Sequence, residues 1–385
     1  MTALITAAVV FGTRPEAIKM APVVLKLKRD ERIAARTIVT AQHREMLDQV
    51  LDLFSVKPDI DLGLMRPDQR LAAFMSRALT ALTKTFESDR PDIVVVHGDT
   101  STTLAASLAA FYLNIPVGHV EAGLRVTDKF RPFPEEINRR LVDQMATIYF
   151  APTKRATENL KGSGVPKDAV YLTGNTVVDA VSIILRSKVS FTTPEAKAWV
   201  KARGFKILLT AHRRESFGAV LDGICDAVLR TLANQPDAHV LASVHRNPRV
   251  RKAMHSALSG HPRVTLISPP PYGEFVRLMK HASLILTDSG GIQEEAPALG
   301  KYVLVLRKET ERPEAVEAGF AKVIGTEPDV IVREATAARN HVESGRVPTL
   351  SANPFGDGRA SQRIRQAILH HFGLAKEPPK DFAVR

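Results

Sequence analysis

The sequence predicts an α/β protein made of two doubly wound domains, each built on a parallel sheet. Three observations carry this. About eleven short apolar runs, many rich in valine and isoleucine, alternate with longer helical stretches. That many strands exceed one ordinary sheet, and 385 residues suffice for two hydrophobic cores. Polar motifs, several with glycine, follow the apolar runs, where open parallel sheets bind their ligands.

Taken in order, Leu4–Phe11 leads into Gly12-Thr13-Arg14-Pro15-Glu16 and a helix over Ala21–Arg29. No basic segment precedes this run and a turn follows it, so it reads as a strand rather than a signal peptide. Thr37–Thr40 is the next run, and Arg70–Phe86 the next long helix. Ile93–His97 ends in Gly98-Asp99-Thr100-Ser101-Thr102, ahead of a helix over Thr102–Phe111. Pro116–Val120 ends in Glu121-Ala122-Gly123. Pro132-Phe133-Pro134 precedes Glu135, Glu136 and a helix over Ile137–Met145, with Pro134 suited to the first helical position. Thr147–Ala151 and Val170–Thr173 complete a first domain, 1–174.

The boundary is expected near Gly174-Asn175, where an apolar helix, Val177–Leu185, begins, followed by a looser segment, Lys188–Gly204. Lys206–Thr210 then runs into His212-Arg213-Arg214-Glu215-Ser216 and the helical stretch Ala219–Leu232. His239–Val244 runs into His245-Arg246-Asn247-Pro248, and Val264–Ile267 follows. Leu284–Thr287 enters Asp288-Ser289-Gly290-Gly291, and Tyr302–Leu306 precedes Arg312. The second domain thus spans 175–358, closed by the turn cluster Asn353-Pro354-Phe355-Gly356-Asp357-Gly358. A helix over 360–373 is expected to pack back on the first domain, leaving 375–385 as a frayed tail.

Composition narrows the function. The single cysteine, Cys225, excludes an internal disulfide and a cysteine-based zinc site, and its apolar helical setting marks it as core. No apolar run reaches the roughly 18 residues of a membrane span, so a cytoplasmic location and no membrane partner are expected. The net charge is +12, but the basic residues are spread along the chain, and aromatics are only 6%. Without a recognition motif or stacking platform, no nucleic-acid partner is expected. A basic surface that draws in anionic substrates fits better.

The chemistry-bearing residues follow strand ends. Ser289, Gly290 and Gly291 offer unobstructed backbone N–H groups at a helix start, an anion nest suited to phosphate. Glu294 and Glu295 lie one turn on, placed to accept hydrogen bonds from sugar hydroxyls. Together they suggest a nucleotide-sugar site. Arg14 and Lys19 suit a diphosphate, and the first loop is neither a dinucleotide fingerprint nor a P-loop. Each motif also has a plain structural reading. Gly12 and Gly98 serve turns, Asp99 could cap the helix after it, and Glu135 could simply start its own. Glu121 resists this, because a carboxylate ending an apolar strand is costly unless paired. So does His212, flanked by Arg213 and Arg214. His97, His119 and His245 are weaker candidates.

Several blocks resemble the non-hydrolysing UDP-N-acetylglucosamine 2-epimerases. They are Phe11–Pro22, His97-Gly98-Asp99-Thr100, His119–Arg125, Pro132–Glu136, Gly174–Asp179, His212–Gly218, Asp288–Pro297 and Glu311–Ala315. The likeness runs in order through nearly the whole chain. It implies two Rossmann-like domains facing across a cleft, as in GT-B glycosyltransferases, a homodimer, and interconversion of UDP-GlcNAc and UDP-ManNAc. By matching motifs, Arg14, Lys19, Asp99, Glu121, Glu135 and His212 resemble the catalytic set. Phe275, Ser289, Gly290, Gly291, Glu295 and Arg312 resemble the UDP-binding set, which Arg14, Lys19, His212 and Arg213 extend. Phe275 would lie beside uracil, and Glu295 would hold the ribose. Two places depart from the pattern: Pro270 stands where relatives often carry glutamine, and Val126–Arg131 is more basic than usual.

The residue types suit elimination of UDP, loss of the C2 proton to give a 2-acetamidoglucal, and re-addition from the opposite face. Cations and N–H groups would hold the diphosphate, and Asp99, Glu121 and Glu135 would serve the oxocarbenium-like state and proton transfer. No metal or other cofactor is expected. The rival readings are a hydrolysing epimerase, a GT-B glycosyltransferase and a silent nucleotide-sugar sensor. Gln42, Arg213 and His245 match residues that contact an activating second UDP-GlcNAc in some relatives. Glu45 and Asp68 would place carboxylates beside that effector, so weak or absent activation is expected.

Overall fold

The computed structural model describes residues 5–41, 44–66, 68–130, 132–213 and 217–384, the side chains of 44 and 45 excepted. Gln42 and Arg214–Ser216 lie outside the described residues, as does the side chain of Glu45.

The first sheet contains β1 Ile5–Phe11, β2 Ile33–Val39, β3 Ile60–Asp61, β4 Ile93–His97, β5 Val117–Val120, β6 Ile148–Ala151 and β7 Val170–Leu172. Its order is β3-β2-β1-β4-β5-β6-β7, and every pair is parallel. The second contains β8 Lys206–Thr210, β9 His239–Ser243, β10 Val264–Ile267, β11 Leu284–Thr287, β12 Tyr302–Val305 and β13 Ala321–Val323. Its order is β10-β9-β8-β11-β12-β13, again all parallel. Both sheets are doubly wound, as the alternation of apolar runs and helices predicts. In each, the strand order reverses beside the first strand, at β1/β4 and at β8/β11. Loops leaving those strands are where a ligand crevice opens.

Burial on both faces explains the continuous apolar runs: every residue of β4 and of β5 is buried. The first sheet packs Val10, Val94 and Val96 against Phe74, Leu82 and Phe86 of the helix Leu71–Ser88. The second packs Ile207, Leu209 and Leu286 against Ile224, Cys225 and Val228 of the helix Ala219–Asn234. Burial pushes the Cys225 thiol up to about 12, so it behaves as an inert core group.

The chain divides into two compact units, Met1–Ala180 with Gly356–Ala383, and Val181–Phe355 with Val384–Arg385. The division falls inside the helix Thr176–Arg186, a few residues beyond Gly174-Asn175. The helix Ala360–His371 packs on Arg14–Lys28 in the first unit. Buried Asp179 anchors its start, accepting from the Ala360 and Ser361 N–H groups at 3.1 and 3.0 Å and from the Ser361 hydroxyl at 2.6 Å.

Other elements differ from the sequence reading. The segment read as a frayed tail is docked: Phe382 is buried, and its N–H donates to the Leu172 carbonyl at 2.8 Å. That anchor, with hydrogen bonds from Arg363 and Gln366 to the Lys380 and Glu377 carbonyls, outweighs its Pro- and Lys-rich composition. The first helix begins at Arg14 rather than Ala21, with Pro15 in its first turn, where no N–H is needed, and Pro22 inside it. The loose segment Lys188–Gly204 contains a helix, Pro194–Lys201, held by buried Trp199. β2 starts at Ile33 rather than Thr37: Ile33–Arg36 pair with β1 alone and are mostly half-exposed, which hides their strand character. The edge strands β3 and β13, two and three residues long, carry too little apolar signal to be read. Among the described residues no helix is long and apolar enough to cross a membrane.

Candidate active site

In the first unit the candidates gather at the carboxyl ends of β1, β4 and β5. Gly12 is required where β1 ends, since a Cβ there would stand 2.1 Å from Thr40 Oγ1 and 2.5 Å from Thr102 Oγ1. Arg14 opens the following helix and Lys19 lies one turn on, both half-buried. Lys19 Nζ forms an ion pair with Glu121 Oε2, with 11% and 9% of the two side chains exposed. Asn175 Nδ2 donates to the same oxygen at 3.0 Å, and His97 Nε2 lies 3.6 Å from it. The Glu121 carboxylate at the end of β5 is therefore paired, as its burial demands. Its φ of 64° is left-handed, a conformation that costs a non-glycine residue free energy and that clusters at functional sites.

Asp99 follows β4 and forms an ion pair with Arg139. It does not cap the next helix: that place belongs to Thr100, whose side chain accepts from the Thr103 N–H at 3.1 Å. The Asp99 carboxylate is left to its arginine partner. Asn138 Nδ2 donates to the Asp99 carbonyl at 2.9 Å. Glu135 is the first residue of the helix Glu135–Met145 and is half-buried, with Pro134 at the N-cap rather than inside the helix. Beneath Gly98, buried His119 lies between the Gly98 carbonyl and Asp143 Oδ1, each 2.7 Å from a ring nitrogen. Burial opposes ionisation of Asp143, yet His119 and Arg125 together hold its pKa below the ordinary range.

In the second unit the candidates gather at the ends of β8 and β11. Asp288 is fully buried, and its Oδ2 accepts from the His212 and Arg213 N–H groups at 2.7 and 2.8 Å. Its Oδ1 lies 3.1 Å from His212 Nδ1. Burial would raise the Asp288 pKa, but His212 and the two backbone N–H groups outweigh it and hold the carboxyl ionised below its usual range. Asp288 thereby fixes both loop and imidazole. His245 stacks on His212, with ring centroids 5.6 Å apart. Burial and the neighbouring His212 lower the pKa of His245.

Ser289 is the N-cap of the short helix Gly290–Glu295. Its N–H donates to Thr287 Oγ1 at 3.0 Å, so the expected nest is narrower, with Gly290 and Gly291 left to form it. The Arg213 guanidinium lies beside Gly290, 3.8 Å from where a Cβ would stand. Buried Tyr272 donates to Glu295 Oε1 at 3.0 Å, and half-buried Phe275 lies on the same helix, Tyr272–His281. Arg312 forms an ion pair with buried Glu294. Glu311 lies near Arg213, Arg307 and Arg312, whose charges overcome its burial and keep its pKa low.

Five of the six catalytic candidates thus belong to the first unit and His212 to the second, which also carries every residue of the expected UDP-binding set from Arg213 to Arg312. Of the residues matched to an effector, Arg213 follows His212, His245 stacks on it, and Gln42 lies outside the described residues; Asp68, one of the two carboxylates expected to oppose an effector, is exposed. Among the described residues no cluster of His, Cys, Asp and Glu has the arrangement of a metal site. The sequence reading missed several supporting groups. Glu16 carried a signal, standing three residues after Thr13 in the capping-box spacing. Asn175 stood in the matched block Gly174–Asp179 without a role, and Arg139 and Tyr272 carried no signal, because their roles depend on contacts across the fold.

A family model described as UDP-N-acetylglucosamine 2-epimerase matches residues 25–369. A Thermotoga maritima protein provisionally given that name is 51% identical over 373 residues, covering 97% of this chain and 98% of the relative. A Bacillus subtilis protein named UDP-N-acetylglucosamine 2-epimerase is 48% identical, covering 97% of each chain. The solved structure of a Neisseria meningitidis UDP-GlcNAc 2-epimerase bound to UDP-GlcNAc superposes with a TM-score of 0.85. It is 46% identical, covering 95% of this chain and all of the other. The strand order, the charged loops at both switch points and these likenesses agree: the chain belongs to the UDP-N-acetylglucosamine 2-epimerase family.

Proposed function

We infer that the protein interconverts UDP-GlcNAc and UDP-ManNAc without hydrolysing either. The observation that carries this reading is the pair of carboxylate–cation contacts at adjacent strand ends, Glu121 with Lys19 and Asp99 with Arg139. A C2–H beside an acetamido group is not acidic. Once the C1–O bond breaks and its electron pair leaves with UDP, C1 carries positive charge and the C2 proton becomes labile. A carboxylate removes that proton, and the electrons of the C–H bond form the C1–C2 double bond of a 2-acetamidoglucal. Protonation of C2 from the other face and return of the UDP oxygen to C1 give the epimer. No electron is gained or lost overall.

Arg14, Lys19, His212, Arg213, Arg312 and the Gly290–Gly291 N–H groups offset the charge of the departing diphosphate. Asp288 orients the His212 ring for that role. Glu295 suits the ribose hydroxyls, and Phe275 suits the uracil face. Asp99, Glu121 and Glu135 handle the protons. The reading includes a homodimer, which the family resemblance implies. The test is incubation with UDP-GlcNAc alone, with products followed by NMR. UDP-ManNAc at equilibrium with substrate is expected. Free ManNAc with UDP would mean hydrolysis, and unchanged substrate would mean a transferase or a sensor.

A further inference from the structure

In doubly wound folds, backbone N–H groups that open the first helix usually meet a ligand's phosphate. Here a side chain of the protein already holds them. The Gly12 and Thr13 N–H groups donate to Glu16 Oε2 at 3.0 and 2.7 Å. Oε1 of the same carboxylate accepts from the Thr100 hydroxyl at 2.7 Å and lies 3.0 Å from the Thr103 hydroxyl, whose single proton also has the His97 carbonyl at 2.6 Å. Glu16 is 1% exposed. It spans the switch point: Gly12 and Thr13 precede Arg14 after β1, and Thr100 follows Asp99 after β4.

We propose that Glu16 is a positioning residue that staples the Arg14 loop to the Asp99 loop by occupying an anion nest with its own carboxylate. The inference rests on the reading of Arg14 and Asp99 as diphosphate and proton-transfer groups. Three donors converge on one carboxylate with the Thr103 hydroxyl beside them, and two are backbone N–H groups that cannot rotate away, so the spacing of the two loops is set through it. Removing the carboxylate leaves those donors unsatisfied inside the protein, and the loops are free to separate. A glutamine keeps the staple. Its amide oxygen accepts from both N–H groups, while its NH2 donates to the two threonine oxygens.

The test compares Glu16→Ala, Glu16→Gln and Thr103→Val with the wild type, reading kcat, KM, UDP affinity and thermal midpoint. Glu16→Ala should lower kcat by about 30–100-fold, the scale of a misplaced reacting group. UDP affinity should fall less than kcat, by about tenfold at most, because Arg14 is one of several groups read as binding UDP and the rest of that set from Arg213 to Arg312 is untouched. Sodium formate, but not sodium chloride at equal ionic strength, should refill the nest. It should raise both kcat and the thermal midpoint of Glu16→Ala while leaving the wild type unmoved. Glu16→Gln should stay within about tenfold of wild type, and Thr103→Val should fall between the two.

Folded Glu16→Ala with near-wild-type kcat would overturn the staple, as would a folded Glu16→Gln as impaired as Glu16→Ala. If Glu16→Ala does not fold, Thr103→Val decides, and an unchanged kcat there counts against the proposal. Formate raising the Glu16→Ala midpoint without any gain in kcat reduces Glu16 to a structural role. Should the wild type fail to epimerise UDP-GlcNAc, the functional reading fails, while the formate-dependent midpoint still reports on the nest.

Discussion

The two units share a strand order and differ in how they use it. In each, a carboxylate of the protein holds a pair of backbone N–H groups in the loop after the first strand: Glu16 after β1, Asp288 after β8. In the first unit the surrounding candidates are carboxylates matched to cations, Glu121 with Lys19 and Asp99 with Arg139. In the second they are imidazoles, guanidinium groups and a glycine pair around one buried aspartate. One scaffold can thus be dressed for proton transfer or for anion binding by what its loops carry, and fold alone does not say which.

The largest effects should separate the units. Asp99→Asn, Glu121→Gln and Glu135→Gln should each lower turnover at least about 100-fold, the scale of losing a general acid or base. UDP binding measured by calorimetry should survive in all three. A variant with near-normal turnover drops out of the proton-transfer set, and one that loses UDP instead moves to the binding set.

Second-unit changes should do the reverse. Glu295→Ala and Arg312→Ala should each weaken UDP binding by about 10–100-fold, the range for losing a hydrogen bond to a charged group. Saturated turnover should fall far less. If kcat falls and affinity holds, the division of labour between the units is wrong.

A smaller effect concerns Asp288. Its folded pKa lies below that of a free aspartate, about 3.9, so its stabilisation is complete above that pH and is lost as pH falls through the depressed folded value. Trp199, the chain's single tryptophan, is buried in the second unit and reports on it. By its fluorescence at pH 7, Asp288→Asn should melt about 4–8 °C below wild type, which corresponds to ~2 kcal/mol in a domain of this size. The gap should narrow below pH 4 or so. A gap that is constant with pH would mean that Asp288 acts by shape rather than by charge.

How far the sequence carried this comparison varied with the kind of residue. Runs such as Ile93–His97 and Leu284–Thr287 were legible because parallel strands are buried on both faces. Motifs such as Gly98-Asp99 and Asp288-Ser289 stood out because polar residues end those runs. Pairings were not legible. Arg139 reaches Asp99 from a helix forty residues on, and Asn175 reaches Glu121 from the turn after β7. Local spacing said nothing of either contact. The docked tail escaped for the same reason, since buried Phe382 and backbone carbonyls held by Arg363 and Gln366 secure it. Asp99 as a cap was a sound local expectation, displaced by Thr100 one position later.

The central claim is that C2 loses its proton after UDP departs, and the most direct measurement is NMR of the reaction run in D2O. UDP-ManNAc and recovered UDP-GlcNAc should both carry deuterium at C2, with 2-acetamidoglucal and UDP as the trapped minor species. Epimerisation with the original hydrogen fully retained at C2 would contradict the account.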